Sequence, residues 1–257
     1  MFKEKYGPWA LLVGGSEGVG AAMARKLAGR GLNLVLVARK PEPLETVTAE
    51  VRARGVDVRS LSADISQPLE ALAAIRKLTD DVEIGLMIYM AGANLGRGEF
   101  VDLSMEMVRK VIAMNVTGQT EFTHHYGSLM KARRKGGILL VGSLAGYVGS
   151  PLIAPYSAAK AFSRIFSEAV WFELKQHGVD LMHLNLNFTA TPAMERLGYD
   201  LSAGADPEEV AEEGLRHIAD GPVWVVGGAE NQKEALRRMS WMPRAEAVAS
   251  VVLPARK

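Results

Sequence analysis

The chain has 257 residues, 48% hydrophobic and 23% charged, long enough to bury a full core and too apolar for intrinsic disorder. Lys and Arg number 30 against 29 Asp and Glu, so no overall field draws nucleic acid or a membrane surface. The chain has no cysteine, which excludes disulfides, thiolate metal ligands and a thiol nucleophile; no metal site is expected.

The opening stretch Met1 to Pro8 is charged and broken by Gly7-Pro8, unlike the apolar core of a secretory signal. The apolar runs Trp9 to Val13 and Leu34 to Ala38 are far shorter than the roughly 20 residues that cross a bilayer. A protein without a membrane span, located in the cytoplasm, is expected. Strands are predicted at Ala10–Val13, Leu34–Ala38, Val58–Leu61, Ile84–Met90, Ile138–Val141, Val179–Leu186 and Val223–Val226. They are rich in Val, Ile and Leu with little alternation, as strands covered on both faces of a parallel sheet are. Helices are predicted between them, at Val19–Ala28, Leu44–Arg54, Leu69–Leu78, Met105–Met130, Tyr156–Gln176, Pro207–Ala219 and from about Gln232 to Met239. The alternation predicts one α/β domain over residues 1–257, a doubly wound, Rossmann-type parallel sheet of about seven strands.

Several boundaries have a mechanism. Asp206-Pro207-Glu208-Glu209 reads as an N-cap, a proline at N1 and acids at the positive end of the dipole. Gly178 stands where a helix C-cap is needed. The basic run Lys131 to Lys135 falls at a helix C-terminus, where cations complement the dipole. The irregular stretch Asn187 to Ala205 is long for a compact domain and is expected to be a substrate lid.

After the first strand comes Gly14-Gly15-Ser16-Glu17-Gly18-Val19-Gly20, followed by a helical pattern. Glycines let the backbone turn sharply and let a pyrophosphate approach bare N–H groups. The end of the second strand normally reads the adenosine ribose, and an acid there favours NAD. Here Ala38 is followed by Arg39 and Lys40, and an arginine matches a 2′-phosphate by paired hydrogen bonds. NADP(H) is the expected cofactor, with Ser16 a further candidate for the same phosphate.

Tyr156 and Lys160 are four apart at the start of a predicted helix, so both side chains share one face. A tyrosine with a pKa near ~10 is a poor base at neutral pH, and a nearby cation lowers that value. Lys160 is expected to do so, giving an acid–base group tuned toward working pH, and to bond the nicotinamide ribose. Ser143 follows the fifth strand, at the carboxyl edge where such sheets place ligands, and is expected to hold a substrate oxygen. Asn115, within the long helix pattern, is expected to hold a water beside Lys160.

With these residues in this order, the chain resembles the short-chain dehydrogenases/reductases over nearly its whole length. The glycine turn is similar to the family's TGxxxGxG at Gly14, Gly18 and Gly20, with Val13 in place of Thr. Tyr156 and Lys160 match YxxxK, with Ser143 thirteen residues before Tyr156 and Asn115 as the fourth member of a tetrad. The resemblance implies cofactor contacts from Val19, from Asp64 at adenine with Ile65 beside it, from Ala91 and Gly92, and from Thr189 and Thr191 at carboxamide and phosphates. It also implies a homodimer or homotetramer built on the long helices. Lys5 to Ala10 and Arg30 to Leu36 look similar to the branch of 3-ketoacyl-CoA reductases and 17β-hydroxysteroid dehydrogenases.

Two segments depart from the family. Tyr89-Met90-Ala91-Gly92 replaces NNAG, which removes an amide brace in the sheet. Leu186-Asn187 replaces Pro-Gly; Asn tolerates a positive φ better than most residues, and the N–H gained at Leu186 needs a partner. The expected activity is the NADP(H)-dependent interconversion of a carbonyl and a secondary alcohol. Phe188, Met194, Leu197 and Tyr199 on the lid, facing Leu144, Tyr147 and Leu152, either form a pocket for a steroid, fatty acyl or aromatic ketone or simply pack the lid down. The alternative function is a cofactor-binding sensor or scaffold without turnover.

Overall fold

The computed structural model describes residues 2–240 and 243–251; the remaining residues of the expected domain lie outside them. Seven strands form one wholly parallel sheet: β1 (Trp9–Val13), β2 (Asn33–Ala38), β3 (Val58–Ser62), β4 (Ile84–Tyr89), β5 (Gly136–Ser143), β6 (Val179–Leu186) and β7 (Val223–Val225). Their order is β3-β2-β1-β4-β5-β6-β7. Flanking them are α1 (Phe2–Tyr6), α2 (Gly18–Gly29), α3 (Pro41–Arg52), α4 (Pro68–Thr79), α5 (Met105–Ile112), α6 (Gly118–Arg133), α7 (Ala154–Lys175), α8 (Pro192–Arg196), α9 (Pro207–Arg216), α10 (Gly228–Met239) and α11 (Arg244–Ala249).

Both faces of the sheet are covered, which is why the strands lack an alternating pattern. On one face Ala10 and Leu12 of β1 pack with Leu27 of α2, Val47 of α3 and Leu215 of α9. On the other, Leu11 and Val13 pack with Ile75 of α4, Phe122 of α6 and Leu174 of α7. The chain changes faces between β3 and β4, and β4 then pairs with β1. The crevice at the carboxyl ends of β1 and β4 is the place where such sheets bind ligands.

The expected caps are present. Asp206 accepts from the Glu208 N–H at 2.9 Å, with Pro207 opening α9. Gly178 takes φ of 73° after α7. Arg134, inside the basic run, closes α6 in the left-handed conformation. Residues 187–205 are not structureless. They contain α8, and a bridge from Thr189 to Ala205 pins their ends together. The predicted helix Met105–Met130 is interrupted by a π turn at Ala113–Thr117. Among the described residues, no helix is long and apolar enough to cross a membrane.

The core holds a histidine. His183 of β6 is fully buried, and its Nε2 shares a 2.8 Å hydrogen bond with Ser163 Oγ of α7. Burial, reinforced by the Lys160 and Arg164 charges, pushes its pKa down to about 3. The fold therefore holds a neutral imidazole, while the unfolded chain takes up a proton below about pH 6.5. This contribution to stability is complete above that pH and is lost as pH falls toward 3. Between pH 7 and 5 the wild type should lose about 2 kcal/mol more than His183→Gln in urea denaturation; equal losses would clear His183 as the cause.

Candidate cofactor and catalytic site

The glycine turn leaves β1 and enters α2 at the face-change crevice. A Cβ on Gly20 would lie 2.0 Å from the Gly14 carbonyl oxygen, so the turn can close only with glycine there. Gly14 and Gly18 take positive φ, 102° and 51°. Ser16 lies half-buried on the turn and Val19 is buried beneath it. At the end of β2, Arg39 is exposed and forms no ion pair among the described residues. Lys40 lies 3.5 Å from Glu17 of the turn.

The altered end of β4 is braced in a way the sequence did not reveal. Tyr89 is fully buried, and its hydroxyl donates to the Met114 carbonyl at 2.7 Å. Met114 lies in the π turn, whose widened ring leaves a carbonyl in need of a donor. A Cβ on Gly118 would stand 2.2 Å from the Tyr89 hydroxyl oxygen, so the ring reaches the turn only past a glycine. The lost amide was expected to cost a brace in the sheet; Tyr89 instead ties the end of β4 to the π turn. No local pattern signals this, because Tyr89 and its two partners are far apart in sequence.

The π turn carries Asn115. Its Nδ2 donates to the Val111 carbonyl at 2.9 Å and more weakly to Ala93, while Oδ1 is buried without a partner. Gly92 brings the pieces together: a Cβ there would lie 2.4 Å from Asn115 Oδ1 and 3.2 Å from Lys160 Nζ. Lys160 is buried and donates to the Val141 carbonyl at 2.9 Å, with Nζ 5.5 Å from the Tyr156 ring centroid. Ser143 is the last residue of β5; its Oγ accepts the Ala145 N–H at 3.1 Å, and the hydroxyl is near enough to the Tyr156 phenol to pull its pKa down. Asn115, Ser143, Tyr156 and Lys160 thus gather at the carboxyl edge of β4 and β5.

The electrostatics correct one expectation. Burial raises the Tyr156 phenol above its ordinary range, and the Ser143 hydrogen bond opposes it. Lys160 does not bring the phenol down, because its ammonium is turned to Val141 and burial lowers its own pKa to about 8. Sequence spacing places the two groups together, but desolvation decides the sign.

The remaining predicted residues scatter around the crevice. Asp64 is exposed, with Oδ1 accepting the Ser66 N–H at 2.9 Å, while Ile65 beside it is buried. Ala91 follows β4, its N–H bonded to the Val13 carbonyl at 2.8 Å. Thr189 is buried and donates to the Asn187 carbonyl at 3.1 Å; Thr191 caps α8 through the Met194 N–H. Asn187 does not take positive φ; its amide bonds Asn231 Oδ1 at 2.8 Å and its Oδ1 accepts the Phe188 N–H. Leu186 stays in the β6 ladder opposite Ser143. Leu144 and Tyr147 are buried and pack with Val225 and Ala235, and Tyr147 also lines a cavity with Val148, Pro151 and Ala154. Leu152 is exposed, with φ of 65°. Phe188 and Tyr199 meet edge-on at 6.0 Å.

These residues fit a nicotinamide dinucleotide. The turn offers bare backbone at the N-terminus of α2, an unpaired cation stands at the ribose end, and an unpartnered buried amide oxygen lies beside Lys160. A sheet of this order with this site defines a dinucleotide-binding oxidoreductase.

The model of the short chain dehydrogenase family matches residues 8–201. A 7beta-hydroxysteroid dehydrogenase of Clostridium sardiniense is 29% identical over 255 residues, 97% of this chain and 96% of the relative. A very-long-chain 3-oxoacyl-CoA reductase of Podospora anserina is 32% identical over 197 residues, 75% of this chain and 58% of the relative. A structure solved to explain 7beta-hydroxysteroid dehydrogenase stereoselectivity superposes with a TM-score of 0.88 at 30% identity, covering 96% of this chain and 98% of that one. A short-chain dehydrogenase from Sphingobium yanoikuyae in complex with NADPH gives 0.80 at 27% identity, covering 95% and 96%. The chain belongs to the short-chain dehydrogenase family. It is a nicotinamide-dependent oxidoreductase of CH–OH and C=O groups, on the side of the family that holds hydroxysteroid dehydrogenases and 3-oxoacyl-CoA reductases.

The brace at β4 is testable by removing one oxygen. Tyr89→Phe leaves the Met114 carbonyl buried and unpaired, which should cost about 1–3 kcal/mol of stability in urea denaturation. A variant as stable as wild type would mean that the hydroxyl does not hold the turn.

Proposed function

We propose that the protein is an NADP(H)-dependent enzyme interconverting a ketone and a secondary alcohol on a bulky hydrophobic substrate, a steroid foremost. The observation that carries the chemistry is the gathering of Tyr156, Ser143, Lys160 and Asn115 at one edge of the sheet. The bound cofactor supplies or takes the hydride at the carbonyl carbon. In the reductive direction Tyr156 gives its proton to the oxygen as negative charge develops there. Burial keeps the phenol protonated at neutral pH, the form this step consumes. The Ser143 oxygen already accepts the Ala145 N–H, so its own proton is left for the substrate oxygen or for Tyr156. Lys160 and the free Oδ1 of Asn115 bracket the space through which Tyr156 regains a proton.

Arg39 and Lys40 carry the choice of NADP(H), with the NADPH complex of the Sphingobium relative in support. Gly14, Ser16, Gly18, Val19 and Gly20 receive the pyrophosphate; Asp64, Ile65, Ala91, Gly92, Thr189 and Thr191 take the flanking contacts. The steroid reading rests on the names of the relatives and on the apolar face that Phe188 and Tyr199 give the segment 187–205, which acts as the lid. We also infer a homodimer or homotetramer through α6 and α7, where Leu129, Ile165 and Phe172 stand exposed on a folded surface.

NADPH consumption, followed by absorbance with 7-oxo steroids, 3-oxoacyl thioesters and aryl ketones, tests the activity. Tyr156→Phe should lower kcat by about 10²–10⁴-fold; turnover that survives the change sinks the mechanism. Arg39→Asp should weaken NADPH binding by at least about tenfold and favour NADH, and an unchanged preference would remove the cofactor assignment.

A further inference from the structure

Glu17 is an acid in the glycine turn, whose bare backbone at the N-terminus of α2 suits an anion. It precedes the first residue of α2 but makes no capping bond to that helix. Its side chain is turned to two cations. Arg196 of α8 meets it with both terminal nitrogens, Nη1 at 3.2 Å from Oε1 and Nη2 on Oε2. Lys40, next to Arg39, lies 3.5 Å from the same Oε1. Burial works against the charged carboxylate, yet Arg196 and then Lys40 outweigh it and hold the group below the ordinary carboxylate range. The same short helix touches the turn a second time. Its cap, Thr191, packs its methyl so close to Gly18 that a Cβ there would stand 2.8 Å away.

As a stabilising contact this pair counts for little, because Arg196 is 47% exposed and exposed ion pairs are screened. Its effect on the local field is another matter. A bare carboxylate at the N-terminus of α2 would repel a pyrophosphate, and it would hold Lys40 away from a 2′-phosphate. With Arg196 on it, the carboxylate is neutralised and Lys40 has a weaker hold on it.

We propose that Arg196 determines specificity for the phosphorylated dinucleotide by masking Glu17, so that the segment 187–205 contributes to cofactor choice as well as covering the substrate. The inference rests on the NADP(H) reading above. Arg196 acts through Glu17 and Lys40 and is a positioning residue.

The test is equilibrium binding of NADPH and NADH to the full chain, read by cofactor fluorescence without turnover. Arg196→Ala should weaken NADPH about tenfold and NADH markedly less. Arg196→Lys, which keeps the charge, should restore most of the loss. Glu17→Gln combined with Arg196→Ala should return NADPH to within about twofold of wild type, because no charge is left to mask. The Arg196→Ala defect should shrink in high salt. Equal losses for both cofactors would overturn the specificity role, and a loss that Glu17→Gln does not reverse would overturn the masking itself, each leaving NADP(H) use intact. A wild type that prefers NADH would instead overturn the cofactor reading, and this inference with it.

Discussion

A parallel sheet must be covered on both faces, because each strand is too apolar to meet water and each crossover delivers a helix to one side. This constraint arranges everything else. Because the chain changes faces after β3, β1 and β4 become neighbours whose following segments diverge, and a crevice opens between them. The glycine turn and the Ala91-Gly92 segment are the two lips of that crevice. Asn115, Ser143, Tyr156 and Lys160 gather beside it, at the carboxyl edge of β4 and β5.

The proposed mechanism asks for an amide beside Lys160, and it is the π turn between α5 and α6 that carries Asn115 there. The π turn inserts the extra residue that brings Asn115 inward, at the cost of a carbonyl without its usual partner. Tyr89 supplies the partner from the end of the neighbouring strand. The departure from the family pattern at Tyr89 and Met90 is thus a different solution to one problem. It removes the main motive for reading the chain as a scaffold that has lost its chemistry.

The strands and their order of appearance were legible because burial on both faces leaves dense apolar runs, and the tetrad because its members keep fixed spacings. What depended on contacts across the fold was not. The periodicity of Met105–Met130 is the same whether the ring at Ala113–Thr117 holds four residues or five, and only Tyr89 decides. Leu144 looks like a pocket wall by composition, yet it is buried against Val225 and Ala235 in the core. Helix α1 gave no signal, although Tyr6 is buried and bonds Asp180 at 2.6 Å. Lys160 stands beside Tyr156 as the spacing requires, but spacing fixes proximity and says nothing of the burial that raises the phenol.

Burial moves the phenol up and the ammonium down, so each is pushed toward its neutral form. Two groups poised this way respond strongly to any charge brought close, since in a dry site an added charge is poorly screened. A nicotinamide ring that gains positive charge on oxidation favours phenolate, and one that has lost it favours phenol. The buried, partnerless oxygens of Asn115 and, one and two turns further along, of Gln119 and Thr123 lie on the same helix face. Each costs about 1–3 kcal/mol if left unpaired, against about 1.5–3 kcal/mol gained by burying one large apolar side chain. The two helix-covered layers bury enough apolar surface to offset a cost of that size.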